Sequence, residues 1–295
     1  MFKPYGIIPP IISPLDEKGK FNEKVYRTLI DRLIDGGVHG IFPLGTTGEF
    51  YAFSVAECRM ILEITMDQVN GRVPVYAGAN SITTRGAVEL AQIAQECKVD
   101  AVSVLTPMFV SQTQDELIRF YTSIADSTDL PVIIYNNRPK TNVHVEPKTI
   151  AKLSEIANIV GVKDSTGDFT NTAEYIRLTR GNDHFGVLLG RDTLIFAGLC
   201  HGAVGAIASC ANVAPRIAAD IYDKYMSGDI AGSLEAQFLF APLRIATNMG
   251  SFPQVIKEGL ELQGLPVGKC LDPIQALSNV ERETLRSVLA DMHLL

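Results

Sequence analysis

Short, continuous apolar runs alternate with amphipathic stretches along most of this chain. Runs such as "PVIIY" and "IVGVK" are apolar at consecutive positions rather than at every second one. Strands of that kind belong to parallel sheets covered on both faces. Eight segments fit: 6–12, 40–44, 74–77, 101–105, 131–135, 159–163, 185–189 and 203–208. The stretches between them carry helix-start chemistry. Ser54 with Glu57, and Thr113 with Glu116, are spaced as capping boxes, in which hydroxyl and carboxylate satisfy each other's backbone N–H groups. Asn22 and Asn212 are placed to cap two further helices. After Ser54, residues Val55, Met60, Ile61, Ile64 and Val69 fall close to one helical face.

Eight strands, each followed by a helix, predict an α/β protein of the (β/α)8 TIM-barrel type over residues 1–228. Residues 229–295 keep helical periodicity with no clear strand, which predicts a C-terminal helical extension packed on the barrel. An open doubly wound sheet is the alternative. It calls for a glycine-rich dinucleotide loop after its first strand, and "IISPLDEKGK" is not one.

Composition narrows the partners. The net charge of −7 is spread over interspersed acids and bases with no basic stripe, which argues against nucleic acid. Cys58, Cys97, Cys200, Cys210 and Cys270 are scattered, which fits a reducing compartment rather than a disulfide or zinc framework. The opening "MFKPYGIIPP" is too short and proline-rich for a signal peptide, and no run approaches the ~20 apolar residues of a membrane span. A cytoplasmic protein is expected.

In such a barrel the chemistry sits at the C-terminal ends of the strands. The second predicted strand runs into Gly45-Thr46-Thr47-Gly48-Glu49, a turn whose hydroxyls and free N–H groups suit a small carboxylate. Read alone, it is equally an ordinary strand-to-helix turn. The fifth ends in Tyr135, either a core tyrosine or a phenol poised to pass protons. The sixth ends in Lys163. A lysine there either reaches to solvent or pairs with Asp164, or it is desolvated, loses its proton and becomes a nucleophilic amine. Together the three could bind a 2-keto acid, form an imine and shuttle its protons. The histidines are scattered, and no metal site is expected.

In order and separation, Gly45-Thr46-Thr47-Gly48-Glu49, Tyr135-Asn136 and Gly161-Val162-Lys163-Asp164 resemble the dihydrodipicolinate synthase/N-acetylneuraminate lyase family. The resemblance covers nearly the whole chain, from "GIIPPIISPLDEKG" to the C-terminal helices. It implies a TIM barrel, a homotetramer built as a dimer of dimers, and a Schiff base between lysine and pyruvate or a related keto acid. No cofactor beyond that imine is implied. By the resemblance, Lys163 is the Schiff-base lysine, Tyr135 the general acid/base and Thr46 its relay hydroxyl. Thr47 and Gly48 belong to the carboxylate-binding loop, and Gly190 and Ile207 line the pocket.

The departures bear on substrate. Thr106-Pro107-Met108-Phe109 stands where the synthases carry a second tyrosine, and Lys140 where they place an arginine. Phe50-Tyr51 replaces the small polar pair of lysine-inhibited synthases. Ser165 and Asp192 match positions that hold the sugar chain in sialic acid lyases, but Thr193 replaces a second acid. "GIIPP", "GEF" and "VIKEGLELQGLP" look more like aldolases of 2-keto-3-deoxy sugar acids. Arg191, at the predicted rim, either turns inward to a distal carboxylate or phosphate or outward to solvent. The expected activity is reversible C–C cleavage releasing pyruvate and an aldehyde. Dihydrodipicolinate synthesis, dehydration of a keto-deoxy sugar acid, and non-catalytic keto-acid binding are the alternatives.

Overall fold

The computed structural model describes residues 2–295. Seven parallel strands form one curled sheet: β1 (Gly6–Ile7), β2 (Tyr76–Gly78), β3 (Ala101–Leu105), β4 (Val132–Asn136), β5 (Ile159–Asp164), β6 (Gly186–Leu189) and β7 (Gly205–Ala206). Their order is β1-β7-β6-β5-β4-β3-β2, with helices in the connections. No helix among the described residues is long and apolar enough to cross a membrane.

Segment 40–44, expected as a strand, makes only an isolated parallel bridge between Ile41 and Val75. Pro43 has no N–H to donate, and Leu44 turns to a φ of 58°, so no ladder extends. The segment is nonetheless bonded on both sides. The Ile41 N–H donates to Pro74 O and the Tyr76 N–H to Ile41 O, both at 2.9 Å, while the Phe42 N–H donates to Pro9 O at 3.0 Å. The first strand is likewise shorter than expected, because Pro9 and Pro10 interrupt its donors.

The apolar interior has two layers. The larger lies between sheet and helices and includes Val102, Ile134 and Val162. The smaller consists of Ile8, Phe42, Tyr76, Ala101, Ile133, Val160, Leu188 and Ile207, all at most 1% exposed. It takes one residue from each of the eight runs read from the sequence.

The capping boxes at Ser54 and Thr113 form, as does a third at Ser278 with Glu281, and Asn22 accepts from the Val25 N–H. Asn212 does not cap a helix. Its amide accepts from the Ile12 N–H at 3.1 Å and donates to Pro10 O at 3.0 Å, tying down the first segment that the prolines leave unpaired. In the helix Val55–Val69, Cys58, Ile61, Leu62, Thr65 and Val69 take the buried face. That leaves Val55 and Met60 exposed, contrary to the sequence reading.

The C-terminal residues form the helices Ile230–Ala246, Gln254–Leu262 and Asn279–Asp291. One buried ion pair joins them to the Gly45–Glu49 turn. Lys257 Nζ lies 2.6 Å from Glu49 Oε1, with both side chains at most 1% exposed, as an ion pair rather than an aligned hydrogen bond. Lys257 also donates to Lys269 O at 3.0 Å, and the Leu271 N–H donates to Glu49 Oε2 at 3.1 Å. Removing one member strands the other charge, which typically costs about 3–5 kcal/mol, whereas replacing both is far milder. Lys257→Met is therefore expected to lower urea-unfolding stability by about that amount. Adding Glu49→Leu should restore part of the loss; additive losses would show that the pair does not couple turn and extension.

Candidate active site

Tyr135 in β4 and Lys163 in β5 are register partners on adjacent parallel strands, so their side chains stand on the same face of the sheet. A bulge makes this so. The register shifts between Val132 and Ile133, which pair with Ile159 and Gly161 and leave Val160 unmatched. Ile159 packs in the outer layer and Val160 in the inner one. Strict alternation from Val160 would send Val162 inward and Lys163 outward. With the extra residue, Val162 joins the outer layer and Lys163 turns inward beside Tyr135. Gly161 is suited to the bulge, because a Cβ there would stand 2.6 Å from Gly186 O.

Lys163 is 4% exposed and Tyr135 3%. The lysine Nζ lies 3.9 Å from the centre of the Tyr135 ring and 5.4 Å from that of Phe42, a member of the inner layer. Burial pushes the Lys163 amine below the usual lysine range, opposed in part by Tyr135 and Asp192. Burial works against ionising Tyr135. The adjacent Lys163 charge and hydrogen bonding by Thr46, Asn137 and Ser165 outweigh it, so the phenol falls below its ordinary value. The phenol oxygen lies 3.3 Å from Thr46 Oγ1 and accepts from Asn137 Nδ2 at 2.8 Å.

These groups open onto a cavity of about 600 Å3, which also touches Thr47, Ser165, Gly190, Arg191, Asp192, Ile207 and Lys140. The structure thus brings together every site residue named from the sequence except Gly48. Gly48 is not among the residues that line the cavity. Its carbonyl accepts from Ser13 Oγ at 2.8 Å, and a Cβ there would meet Ile11 O at 2.8 Å, so it serves close packing of the turn. A Cβ on Gly190 would stand 1.9 Å from Ser165 Oγ, which accounts for that glycine. Asp192 is 1% exposed and engaged by the protein. It accepts from the Cys210 N–H at 3.0 Å and Ser209 Oγ at 3.3 Å, and lies 3.5 Å from Arg244 Nε. Burial raises its carboxyl above the usual range, against the pull of Arg244. Lys140 is exposed, with its ammonium 5.8 Å from the centre of the Phe252 ring.

Several lining residues were missed from the sequence. Asn137 directly follows the Tyr135-Asn136 pair and its amide was not weighed. Arg244, Thr247, Asn248, Ser251 and Phe252 come from the extension, which therefore supplies a wall of the cavity. Helical periodicity gave no sign that Arg244 aims at the cavity. Phe109, considered for its missing hydroxyl, is 95% exposed and lies outside the lining.

Known proteins resemble this chain over nearly its whole length. The profile of the dihydrodipicolinate synthetase family matches residues 3–292. A 4-hydroxy-tetrahydrodipicolinate synthase of Methanopyrus kandleri is 37% identical over 100% of this chain and 98% of its own length. One from Thermodesulfovibrio yellowstonii is 36% identical over 98% of each chain. Among solved structures, YagE from E. coli K12, a prophage protein of the dihydrodipicolinic acid synthase family in complex with pyruvate, superposes with a TM-score of 0.95. It is 31% identical, and 99% of each chain is covered.

Two outcomes follow from the paired strands. Gly161→Ala, by pressing a methyl onto Gly186 O, should cost about 1–3 kcal/mol in thermal unfolding and slow any reaction at Lys163. A lowered amine pKa means that the reaction of Lys163 with a small ketone rises with pH and levels off below the ~10.4 of a free lysine. Tyr135 holds that pKa up, so Tyr135→Phe should move the midpoint to lower pH while reducing the maximum rate. A midpoint that stays or rises in the variant would contradict the coupling.

Proposed function

The chain belongs to the dihydrodipicolinate synthetase family, and from this we propose that it is a class I, lysine-imine lyase of 2-keto acids, cleaving a 2-keto-3-deoxy sugar acid reversibly to pyruvate and an aldehyde. The supporting observation is the buried amine of Lys163, 3.9 Å from the Tyr135 ring in a cavity that also holds Thr46 and Thr47.

In this reading the neutral Lys163 amine attacks C2 of the keto acid, whose carboxylate rests on the Thr46–Thr47 turn. Tyr135, hydrogen-bonded to Thr46, protonates the departing oxygen of the carbinolamine, and water leaves. The resulting iminium withdraws the electron pair of the C3–C4 bond while the C4 hydroxyl gives up its proton to Tyr135. An aldehyde is released and an enamine remains. Protonation at C3 and hydrolysis return pyruvate and the free lysine. The lysine imine is the electron sink, so the proposed reaction calls for no separate cofactor. We extend the reading to the scaffold: the inner layer and the bonds of Ile41 and Phe42 to both neighbours support a closed eight-stranded barrel. A soluble protein of the cytoplasm is the matching expectation.

A second reading, 4-hydroxy-tetrahydrodipicolinate synthesis, has the names of the M. kandleri and T. yellowstonii relatives in its favour. The exposure of Lys140 and the absence of a relay hydroxyl at Phe109 favour sugar-acid cleavage.

Borohydride added with pyruvate should leave a stable adduct on Lys163, located by mass spectrometry, and Lys163→Ala should leave none. A wild-type protein without adduct rules out the imine. Turnover of a 2-keto-3-deoxy acid panel against a coupled assay with pyruvate and aspartate semialdehyde then separates lyase from synthase.

A further inference from the structure

The charges on the cavity wall do not balance. Its basic lining residues are Lys140, Lys163, Arg191 and Arg244, while Asp192 is its only acid among the described residues. Asp192 is shared between Arg244 and the donors of Cys210 and Ser209. Arg191 is half-buried, and among the described residues its guanidinium has no ion-pair or hydrogen-bond partner. The nearby Arg244 charge adds to burial in disfavouring its protonated form. Arg244 donates from Nη1 to Thr247 Oγ1 and leans on Asp192 through Nε, and its Nη2 makes no hydrogen bond among the described residues. Two guanidinium groups thus face one cavity with one carboxylate between them.

A keto acid's own carboxylate does not resolve this, because the Thr46–Thr47 turn takes it on the proposed reading. The arginines come from other elements: Arg191 follows β6 and Arg244 projects from the helix Ile230–Ala246. Lys140 is a poor candidate for a second anion, since it is exposed beside Phe252. A cavity of about 600 Å3 also has room for much more than pyruvate. The planar guanidinium fork matches a carboxylate and binds it more strongly when partly desolvated.

We propose that Arg191 and Arg244 form a subsite for a second carboxylate at the far end of the substrate, making the preferred substrate a 2-keto dicarboxylic acid rather than a neutral-ended sugar acid. This rests on the lysine-imine reading and names its substrate class. Asp192 then positions Arg244 and does not touch the substrate chain.

The test compares two keto acids of equal length in borohydride trapping at Lys163: 2-oxoadipate, which ends in a carboxylate, and 2-oxohexanoate, which ends in a methyl. In the wild-type protein 2-oxoadipate should reach half-maximal trapping at about tenfold lower concentration. In Arg191→Gln and in Arg244→Gln that ratio should fall to about twofold or less. Using the ratio within each variant cancels any general loss of imine formation. Equal trapping of the two acids in the wild type, or a preference that survives both substitutions, overturns the subsite while leaving the imine intact. Failure to trap any keto acid, pyruvate included, overturns the lysine-imine reading and the subsite with it. A matched substrate ending in a phosphate ester separates carboxylate from phosphate: tighter trapping of the ester than of 2-oxoadipate overturns the carboxylate assignment.

Discussion

The site depends on one contact, a primary amine buried against a phenol ring on neighbouring strands. Neither group belongs there on its own terms. A lysine with 4% exposure loses most of its hydration, and a phenol with 3% exposure is hard to ionise. Placed 3.9 Å apart, each relieves the other's cost, and a proton can pass between a lowered amine and a lowered phenol. The backbone that enforces this contact is a one-residue irregularity between β4 and β5. Reactivity here begins with the phase of a strand.

A second electrostatic device works at longer range. The Glu49–Lys257 pair fixes the turn carrying Thr46 and Thr47 to the C-terminal helices, and the end of one helix and the link to the next bring Arg244, Thr247 and Phe252 to the same cavity. The extension is therefore part of the pocket's architecture. Glu49 has a left-handed backbone with φ of 53°, a conformation that non-glycine residues adopt at some cost, and its carboxylate is held by both a charge and a backbone N–H.

The sequence was most informative where chemistry conflicts with surroundings. A lysine closing "IVGVK" and a tyrosine closing "PVIIY" are visible because they end apolar runs. What stayed hidden was the direction in which Lys163 points. A strand apolar on both faces carries no alternation from which to read its phase, so the role of Gly161 emerged only from the register. Segment 40–44 was legible as apolar but not as irregular, although Pro43 held the reason. Arg244 was illegible for another cause. An arginine in an amphipathic helix ordinarily marks a solvent face, and only the packing of Ile230–Ala246 beside the cavity turns it inward.

The inner apolar layer has a kinetic meaning for the proposed reaction. Ile8, Phe42, Tyr76, Leu188 and their companions form one dry cluster, with Phe2 and Val204 packed against it. Apolar packing therefore bounds the site on the side of Phe42, 5.4 Å from the lysine Nζ. On the proposed imine reading, a fragment tethered to Lys163 rests against this layer and the other fragment departs first. The order of departure would then follow from the covalent tether and the packing beneath it, independent of how tightly either fragment is held.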